Sequence, residues 1–227
     1  MKRPSGALAQ ARGQKFQDES TNWSGYAVTG GDGAFNSVSS SWTQPAANCS
    51  DSGSAEYAAF WVGLDGFNSG SVEQTGTDSD CDGTSPDYYG WYEMYPAAPV
   101  YFDNPVEPGD QISASVTFSG TETYTLVLTD STQDWTQTIT QDEGGLARSS
   151  AEVITEAPSS EFGVLPLADF GTINYGGSSD DGASMGAQGP TSIIMVDSGG
   201  QQQDTTSAMD GAGDFSNTWL SSFSRRH

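Results

Sequence analysis

The segment TYTLVLTDSTQDWTQTIT, Thr123–Thr140, indicates how this chain folds. Two runs rich in Thr, Val, Ile and Leu alternate apolar with polar side chains, and the polar residues 131–133 separate them. Alternation with a period of two matches a β-strand, whose side chains point to opposite faces in turn. β-Branched residues also favour extended backbone. The segment therefore predicts an antiparallel hairpin that turns at Ser131–Gln133.

Runs of the same kind recur along the chain after Thr21, separated by Gly, Asn, Asp, Ser and Pro. About a dozen such strands, with no convincing amphipathic helix and no internal repeat, predict one all-β domain over residues 21–224. We expect a sandwich of two antiparallel sheets. Residues 160–171 could hold a short helical turn, and the Gly-rich residues 176–190 read as a flexible loop.

The first twenty residues differ from the rest of the chain. They begin MKRPSGALAQARGQK, which is basic but lacks the apolar core of a signal peptide. We interpret residues 1–20 as a flexible basic leader or the remnant of a propeptide. No run of the sequence approaches 18 apolar residues, so no membrane span is expected.

The charge of the chain is strongly acidic. Seven Lys and Arg face 30 Asp and Glu, a formal net charge of −23, and Arg148 is the only base between Phe16 and Ser224. Such a surface repels nucleic acids and anionic membranes, which excludes both as partners. A chain with so few ion pairs loses little when acid protonates its carboxylates, so the composition suits an acidic environment. A high-salt habitat fits the same composition.

The two cysteines, Cys49 and Cys81, lie among turn residues, with no second Cys or His near either of them. We therefore expect a Cys49–Cys81 disulfide rather than a metal site or two free thiols, and hence an oxidising, extracellular compartment. The single histidine is His227, which makes a Ser-His-Asp triad or a His-ligated zinc improbable. Acidic turns such as 78–83 read as solvated turns in preference to calcium sites, so no metal and no cofactor is predicted.

The remaining chemistry consists of carboxyl and carboxamide groups beside aromatic residues. Glu152 lies in SSAEVITEAP, residues 149–158, a strand with apolar side chains on both faces, and Glu93 lies in YYGWYEMYP, residues 88–96. A buried carboxylate is costly unless it is paired or protonated, which makes Glu152 a candidate catalytic acid. Three functions fit: a glycoside hydrolase using Glu93 and Glu152, a carbohydrate-binding module with an aromatic strip, or an acid peptidase using a carboxyl and an amide.

Eight short sequence motifs, which follow one another along the chain, distinguish these three functions: NWSGYAV, SSSWTQPA, FWVGLDG, QTGTD, WYEMYP, EPGDQISASV, SAEVITEAP and LADFGTI. Together they cover most of the chain and resemble the glutamic peptidases, or eqolisins, of the scytalidoglutamic type. The resemblance implies a concanavalin-like jelly roll with an open cleft on its concave sheet. It also implies a secreted, pepstatin-insensitive acid endopeptidase, here a monomer acting on polypeptides.

The same resemblance assigns individual residues. The family's catalytic dyad falls on Gln74 and Glu152, which would activate a water without a metal or a covalent intermediate. Matching supporting positions, expected to bind substrate or to brace the site, are Trp23, Asp65, Asp78, Trp91, Glu93 and Tyr95. Tyr89 departs from the family, whose fungal members have Asp there. This departure, the basic leader and the cysteine spacing favour a prokaryotic branch.

Overall fold

The structure is a computed structural model that describes residues 12–14, 17–49 and 54–222. These ranges form two large β-sheets packed face to face, one small hairpin and a single turn of 3₁₀ helix, Met185–Ala187. Most of the predicted leader, residues 223–224 and His227 lie outside the described residues. No helix in the described ranges is long and apolar enough to cross a membrane.

The first sheet has ten strands and carries the candidate site. In chain order they are β1 (Arg12–Gln14), β2 (Gln17–Ser20), β3 (Trp23–Thr29), β5 (Ala55–Glu56), β6 (Ala59–Leu64), β7 (Val72–Asp82), β8 (Ser85–Tyr95), β9 (Val100–Tyr101), β13 (Ser150–Glu156) and β18 (Thr191–Met195). Their spatial order is β1-β2-β18-β3-β13-β6-β7-β8-β9, with β5 paired to β7. We call this the site sheet.

The second sheet has eight strands and backs the first. They are β4 (Ser37–Thr43), β10 (Gln111–Ser119), β11 (Thr123–Asp130), β12 (Trp135–Asp142), β16 (Thr172–Asp180), β17 (Ala183–Ser184), β19 (Asp204–Thr206) and β20 (Phe215–Trp219). Their order is β12-β11-β10-β4-β16-β20-β19, with β17 paired to β16. We call this the backing sheet.

The predicted hairpin is confirmed. Strands β11 and β12 pair antiparallel from Thr123 opposite Asp142 to Asp130 opposite Trp135. The Asp130 carboxylate accepts hydrogen bonds from the backbone N–H groups of residues 132 and 133, at 2.9 and 3.0 Å. An Asp side chain that bonds backbone groups two and three residues ahead is typical of a tight turn.

Two apolar clusters divide the side chains of the site sheet. The larger cluster fills the space between the sheets and includes Phe60, Val62, Leu126 and Val153. The smaller one lies on the opposite face and includes Trp23, Trp61, Tyr89, Trp91 and Ile154. Alternation along each strand sends neighbouring residues to opposite faces, so both faces of the site sheet carry apolar side chains.

The fold class is as predicted, with several local differences. The described residues form twenty strands rather than a dozen, because many of these strands are only two or three residues long. Residues 17–20, placed in the predicted leader, form β2, which pairs parallel with β18, the one parallel pair among the described strands. The predicted helical turn at 160–171 is instead a short hairpin, β14 (Ser159–Ser160) with β15 (Gly163–Val164).

Residues 176–190 are not the predicted loop. β16 continues through Gly176 to Asp180, and β17 and the 3₁₀ turn follow. A register shift between Gly176 and Ser179 keeps β16 paired with β4 through the glycines. A bulge of this kind absorbs an extra residue without ending the strand.

The predicted disulfide is confirmed: Cys49 is bonded to Cys81, with their Cα atoms 5.4 Å apart. Cys81 lies near the end of β7, the strand that carries Gln74. The bond therefore fastens the segment before residue 50 to a strand of the site sheet.

Candidate active site

Four residues form a row across the centre of the site sheet. Glu152 on β13 lies opposite Gly63 on β6, Gly63 lies opposite Gln74 on β7, and Gln74 lies opposite Glu93 on β8. Residues that are directly opposite in a sheet project to the same face. The two residues of the predicted dyad are thus on one face, two strands or roughly 10 Å of backbone apart.

Gly63 leaves a gap between the two dyad residues. A Cβ at this position would lie 3.2 Å from the Gln74 Cβ and 2.9 Å from Cζ3 of Trp61. Cζ3 of the Trp61 ring therefore lies beside the position that a Gly63 side chain would take. Any larger residue here would push against both the ring and the glutamine.

Gln74 is held by Glu93. The Gln74 amide donates from Nε2 to Oε2 of Glu93 over 2.7 Å, and both side chains are buried. The amide oxygen of Gln74 has no hydrogen-bond partner, and neither carboxyl oxygen of Glu152 has one. Buried polar groups are normally satisfied, so three unsatisfied oxygens on one row mark a place suited to a water or a substrate group.

Burial raises the pKa of Glu152 well above its usual range. The negative charges of Asp65 and Glu73 raise the pKa further. The Ser150 hydroxyl and the Phe67 N–H oppose this rise, although neither makes a hydrogen bond of normal geometry to the carboxyl. Glu152 is thus predominantly protonated in acid.

Asp65 fastens the start of the strand that carries Glu152. Its carboxylate accepts hydrogen bonds from the backbone N–H of Arg148 at 2.6 Å and of Ser149 at 2.9 Å, and from the Ser149 hydroxyl at 3.1 Å. Asp65 is fully buried and has φ of 68°, and Gly66 follows with φ of 106°. This turn directs the chain after β6 back over the site, where Phe67 packs against Trp23 and its neighbours.

Two tryptophans beside the row are fixed by carboxylates. Trp61 donates its indole N–H to Glu156 over 2.8 Å and meets Trp23 edge to face, with centroids 4.8 Å apart. Trp91 donates to Asp78 over 2.6 Å. Their orientation is set by hydrogen bonds as well as by packing.

Tyr89, the position that departs from the fungal pattern, contacts two buried carboxylates beside the row. Its hydroxyl lies 3.2 Å from Oδ2 of Asp78 and also contacts the carboxylate of Asp80. Tyr89 is itself buried, and its ring meets that of Tyr101 edge to face. A phenol thus bridges two carboxylates at the side of the row.

The structure brings the predicted site residues together, but it buries them. Gln74 and Trp23 are 1% exposed, and five others are 0% exposed: Asp65, Asp78, Trp91, Glu93 and Glu152. Tyr95 is half-buried against the outer aromatic cluster. The candidate site is therefore deeply buried in this structure and is not the expected open cleft. Asp65 holds the backbone of Arg148 and Ser149 by hydrogen bonds, and Asp78 and Trp91 are bonded to each other.

Three residues of the site were not singled out from the sequence: Gly63, Asp80 and Glu156. Glu156 follows Glu152 by four residues in the same strand, and Asp80 follows Asp78 by two. Their even spacing places them on the same face, which was the available signal. Among the described residues, no group of three or more His, Cys, Asp or Glu is arranged to hold a metal ion.

The chain is similar to known peptidases over most of its length. A profile of the peptidase A4 family matches residues 21–219. Aspergillopepsin-2 of Aspergillus niger is 28% identical over 213 residues, which cover 84% of this chain and 74% of that protein. Scytalidopepsin B of Scytalidium lignicola is 32% identical over 161 residues, which cover 66% of this chain and 59% of that protein.

A solved structure shows the same fold. The crystal structure of scytalido-glutamic peptidase with a transition state analog inhibitor superposes with a TM-score of 0.74 at 24% identity, covering 88% of this chain and 98% of that one. At this identity the likeness concerns the fold alone. The expected prokaryotic origin of the chain stays a prediction.

Proposed function

The chain belongs to the peptidase A4 family, and from this membership and the geometry of the site we propose that it is an acid-acting glutamic endopeptidase. Glu152 and Gln74 form its catalytic dyad, and polypeptides are its substrates. The observation that carries the proposal is the set of unsatisfied oxygens on Glu152 and Gln74, which face the same side of one sheet.

The carboxyl of Glu152 can serve the reaction with both its oxygens. Protonated in acid, one oxygen donates its proton to the scissile carbonyl oxygen while the other accepts a proton from the attacking water. This exchange leaves a neutral gem-diol and a Glu152 carboxyl that is again protonated. As the C–N bond breaks, the carboxyl gives its proton to the leaving nitrogen while its other oxygen takes a proton from a hydroxyl of the gem-diol, which releases an acid and an amine and restores the starting state.

Gln74 contributes a neutral partner. One of its amide N–H groups is bound to Glu93, which leaves the second to donate to the carbonyl oxygen as negative charge develops there. The unsatisfied amide oxygen can accept a hydrogen bond from the water. Glu93 is thereby a positioning residue, because it fixes which end of the amide faces the water.

The glycosidase alternative is disfavoured by the same row. The Gln74 amide stands between Glu93 and Glu152 and is bonded to Glu93. The two glutamates are three strands, or roughly 14 Å of backbone, apart. Glycosidases need two carboxyls that face each other across a sugar, about 5–9.5 Å apart.

Secretion into acidic surroundings fits the same proposal. The Cys49–Cys81 disulfide is typical of an oxidising compartment. Buried carboxyls with raised pKa values, Glu73 and Asp204 besides Glu152, are fully protonated in acid, so that the fold buries no carboxylate charge at these positions there. A monomer without nucleic acid or membrane partners is part of the proposal.

The test is hydrolysis of casein or haemoglobin at pH 2–5, with pepstatin and EDTA in separate samples. We expect activity that neither inhibitor removes, and we expect Glu152→Gln to lose it while keeping the wild-type unfolding temperature. Glu161→Gln, at an exposed glutamate, is the matched control and should remain active. More than a few per cent of wild-type activity in Glu152→Gln would place the catalytic acid elsewhere.

A further inference from the structure

Three polar side chains lie buried between the two sheets, away from the row of the candidate site. Ser24 comes from β3 of the site sheet, whereas Asp204 and Asn217 come from β19 and β20 of the backing sheet, and all three are 0% exposed. The Ser24 hydroxyl contacts Oδ2 of Asp204 and accepts a hydrogen bond from Nδ2 of Asn217 over 2.9 Å. It also lies 3.4 Å from the carbonyl oxygen of Thr155 in β13.

A count of hydrogens distinguishes the two charge states of this cluster. The Ser24 hydroxyl has one proton. If Asp204 is ionised, Ser24 must donate its proton to the carboxylate, and it has no second proton for a hydrogen bond to the carbonyl oxygen of Thr155. If Oδ2 of Asp204 carries a proton, it donates to Ser24, which then accepts from both Asp204 and Asn217 and donates to Thr155.

The unsatisfied atoms favour the protonated state. Oδ1 of Asp204 and Oδ1 of Asn217 both lack a hydrogen-bond partner. A neutral acid left with one unsatisfied carbonyl oxygen costs much less in a buried position than a full carboxylate with the same deficit. The protonated cluster thus satisfies the hydroxyl completely and buries no charge.

Among the residues that the structure describes, the elements packed around Asp204 carry no compensating cation. The titratable group that faces it is Tyr175 on β16, whose pKa the carboxylate of Asp204 raises further above its usual range after the larger effect of burial. The β18 backbone at Met195 and the uncharged Ser24 and Asn217 complete the surroundings. Arg148, the only base between Phe16 and Ser224, bonds to residues 35 and 36 instead.

We propose that Asp204, Ser24 and Asn217 form a proton-dependent latch, which joins the two sheets in acid and weakens when the medium becomes neutral. The latch contacts β13 three residues from Glu152, and Ser24 follows Trp23 of the site. It stabilises the sandwich itself, so it stands or fails independently of the proposed peptidase reaction.

The sign of the pH dependence follows from the direction of the pKa shift. Burial raises the pKa of Asp204 from its ordinary 3.8 to about 7. A carboxyl whose pKa is higher in the folded state contributes stability that is complete below about pH 4 and lost as the pH rises to about 7. Three pKa units correspond to a change in the unfolding equilibrium of up to about a thousand-fold.

The decisive experiment is thermal unfolding of wild type and Asp204→Asn at each pH from 3 to 8. Asn keeps the shape and a donor at this position but cannot ionise. We expect the variant to unfold near the wild-type temperature at pH 3–4, and at an increasingly higher temperature than wild type as the pH approaches 8. Asp103→Asn, at an exposed carboxyl, should follow the wild-type curve. A constant difference between wild type and Asp204→Asn at every pH would overturn the latch.

A second measurement tests the proposal even if Asp204→Asn folds poorly. The wild type contains other buried carboxyls with raised pKa values, Glu73 and Glu152, so the infrared spectrum of Ser24→Ala is subtracted from that of wild type to cancel their bands. Ser24→Ala removes the acceptor for the Asp204 proton, so the difference spectrum should show a shifted carbonyl band of a protonated, buried carboxylic acid above pH 5. A difference spectrum without such a band would also refute the proposal.

Discussion

Gln74 is the residue whose role is the most specific to this site, because an amide cannot titrate and so offers the same donors and acceptor at every pH. Its hydrogen bond to Glu93 uses one N–H and orients the rest of the amide. That leaves one N–H and one oxygen for the reacting groups. A carboxyl facing a permanently neutral partner avoids the shared proton that two facing carboxyls would need.

We predict that Gln74→Ala lowers kcat by on the order of a hundred-fold or more, the effect seen when a donor to a developing oxyanion is lost. Gln74→Glu should retain some activity but shift the pH profile, because the new carboxyl would face Glu93, the partner of the Gln74 amide, and two such carboxyls titrate as a coupled pair. Steady-state kinetics on a quenched peptide at pH 2–6 measure both effects. Gln202→Ala, at an exposed glutamine, is the control, and a fully active Gln74→Ala would refute the dyad.

At the scale of the element, β6 and β7 each contribute a glycine to the site face. Gly63 leaves the gap between Gln74 and Glu152, and Gly76 lies between Trp61 and Trp91 in the next row. The two glycines differ in what a side chain would meet. A Cβ at Gly76 would be 2.0 Å from the backbone oxygen of Phe60, whereas one at Gly63 meets only side chains.

We therefore predict opposite outcomes for two alanine substitutions. Gly63→Ala should lower activity at least ten-fold with little change in unfolding temperature, because the Trp61 ring and Gln74 can shift by a few tenths of an ångström. Gly76→Ala should destabilise the fold by an amount typical of overpacking, about 1–3 kcal/mol, because backbone cannot yield in this way. Thermal unfolding and the peptide assay together separate the two. A Gly63→Ala enzyme with wild-type kcat would show that the gap is not used.

At the scale of the whole molecule, the sandwich buries carboxyls whose pKa values are raised by that burial. Glu73, next to Gln74 but facing the interior of the sandwich, is 0% exposed, and neither of its oxygens has a hydrogen-bond partner. Burial, then the charge of Asp65, raises the pKa of Glu73 to about 8. Asp65 and Glu143 are the carboxylates that face it, and burial, then the charge of Glu73, raises the pKa of the Tyr124 hydroxyl.

We predict that Glu73→Gln reduces the loss of stability between acid and mildly alkaline pH. The folded pKa of Glu73 is raised, so its contribution is complete below about pH 4.5 and is lost as the pH climbs to about 8. Urea unfolding at pH 4, 6 and 8 measures this. The advantage of the variant over wild type should grow with pH, and an advantage that is equal at all three values would contradict the assignment. Glu107→Gln, at an exposed glutamate, should give no such trend.

Local patterns predicted much of the fold. The alternation of Thr123–Thr140 and the polar residues after Asp130 predicted a hairpin that the structure contains, because strand faces and turns depend on neighbouring residues. The Cys49–Cys81 bond was also predicted, because neither cysteine has a second Cys or a His near it with which to form a metal site. The short strands and β2 could not be predicted, since a strand of two to four residues is held by its partner and not by its own sequence.

The sequence by itself determined the type of strand, the acid-tolerant composition and the order of motifs in which Gln74 and Glu152 occur. Only the tertiary structure decided that Gly63 separates these two residues, that Glu93 holds the amide, and that Ser24 meets Asp204 and Asn217. These contacts join residues that are up to 193 positions apart. Register and sheet packing bring such residues together, and the pKa of a carboxyl depends on the burial that results, which no local pattern specifies.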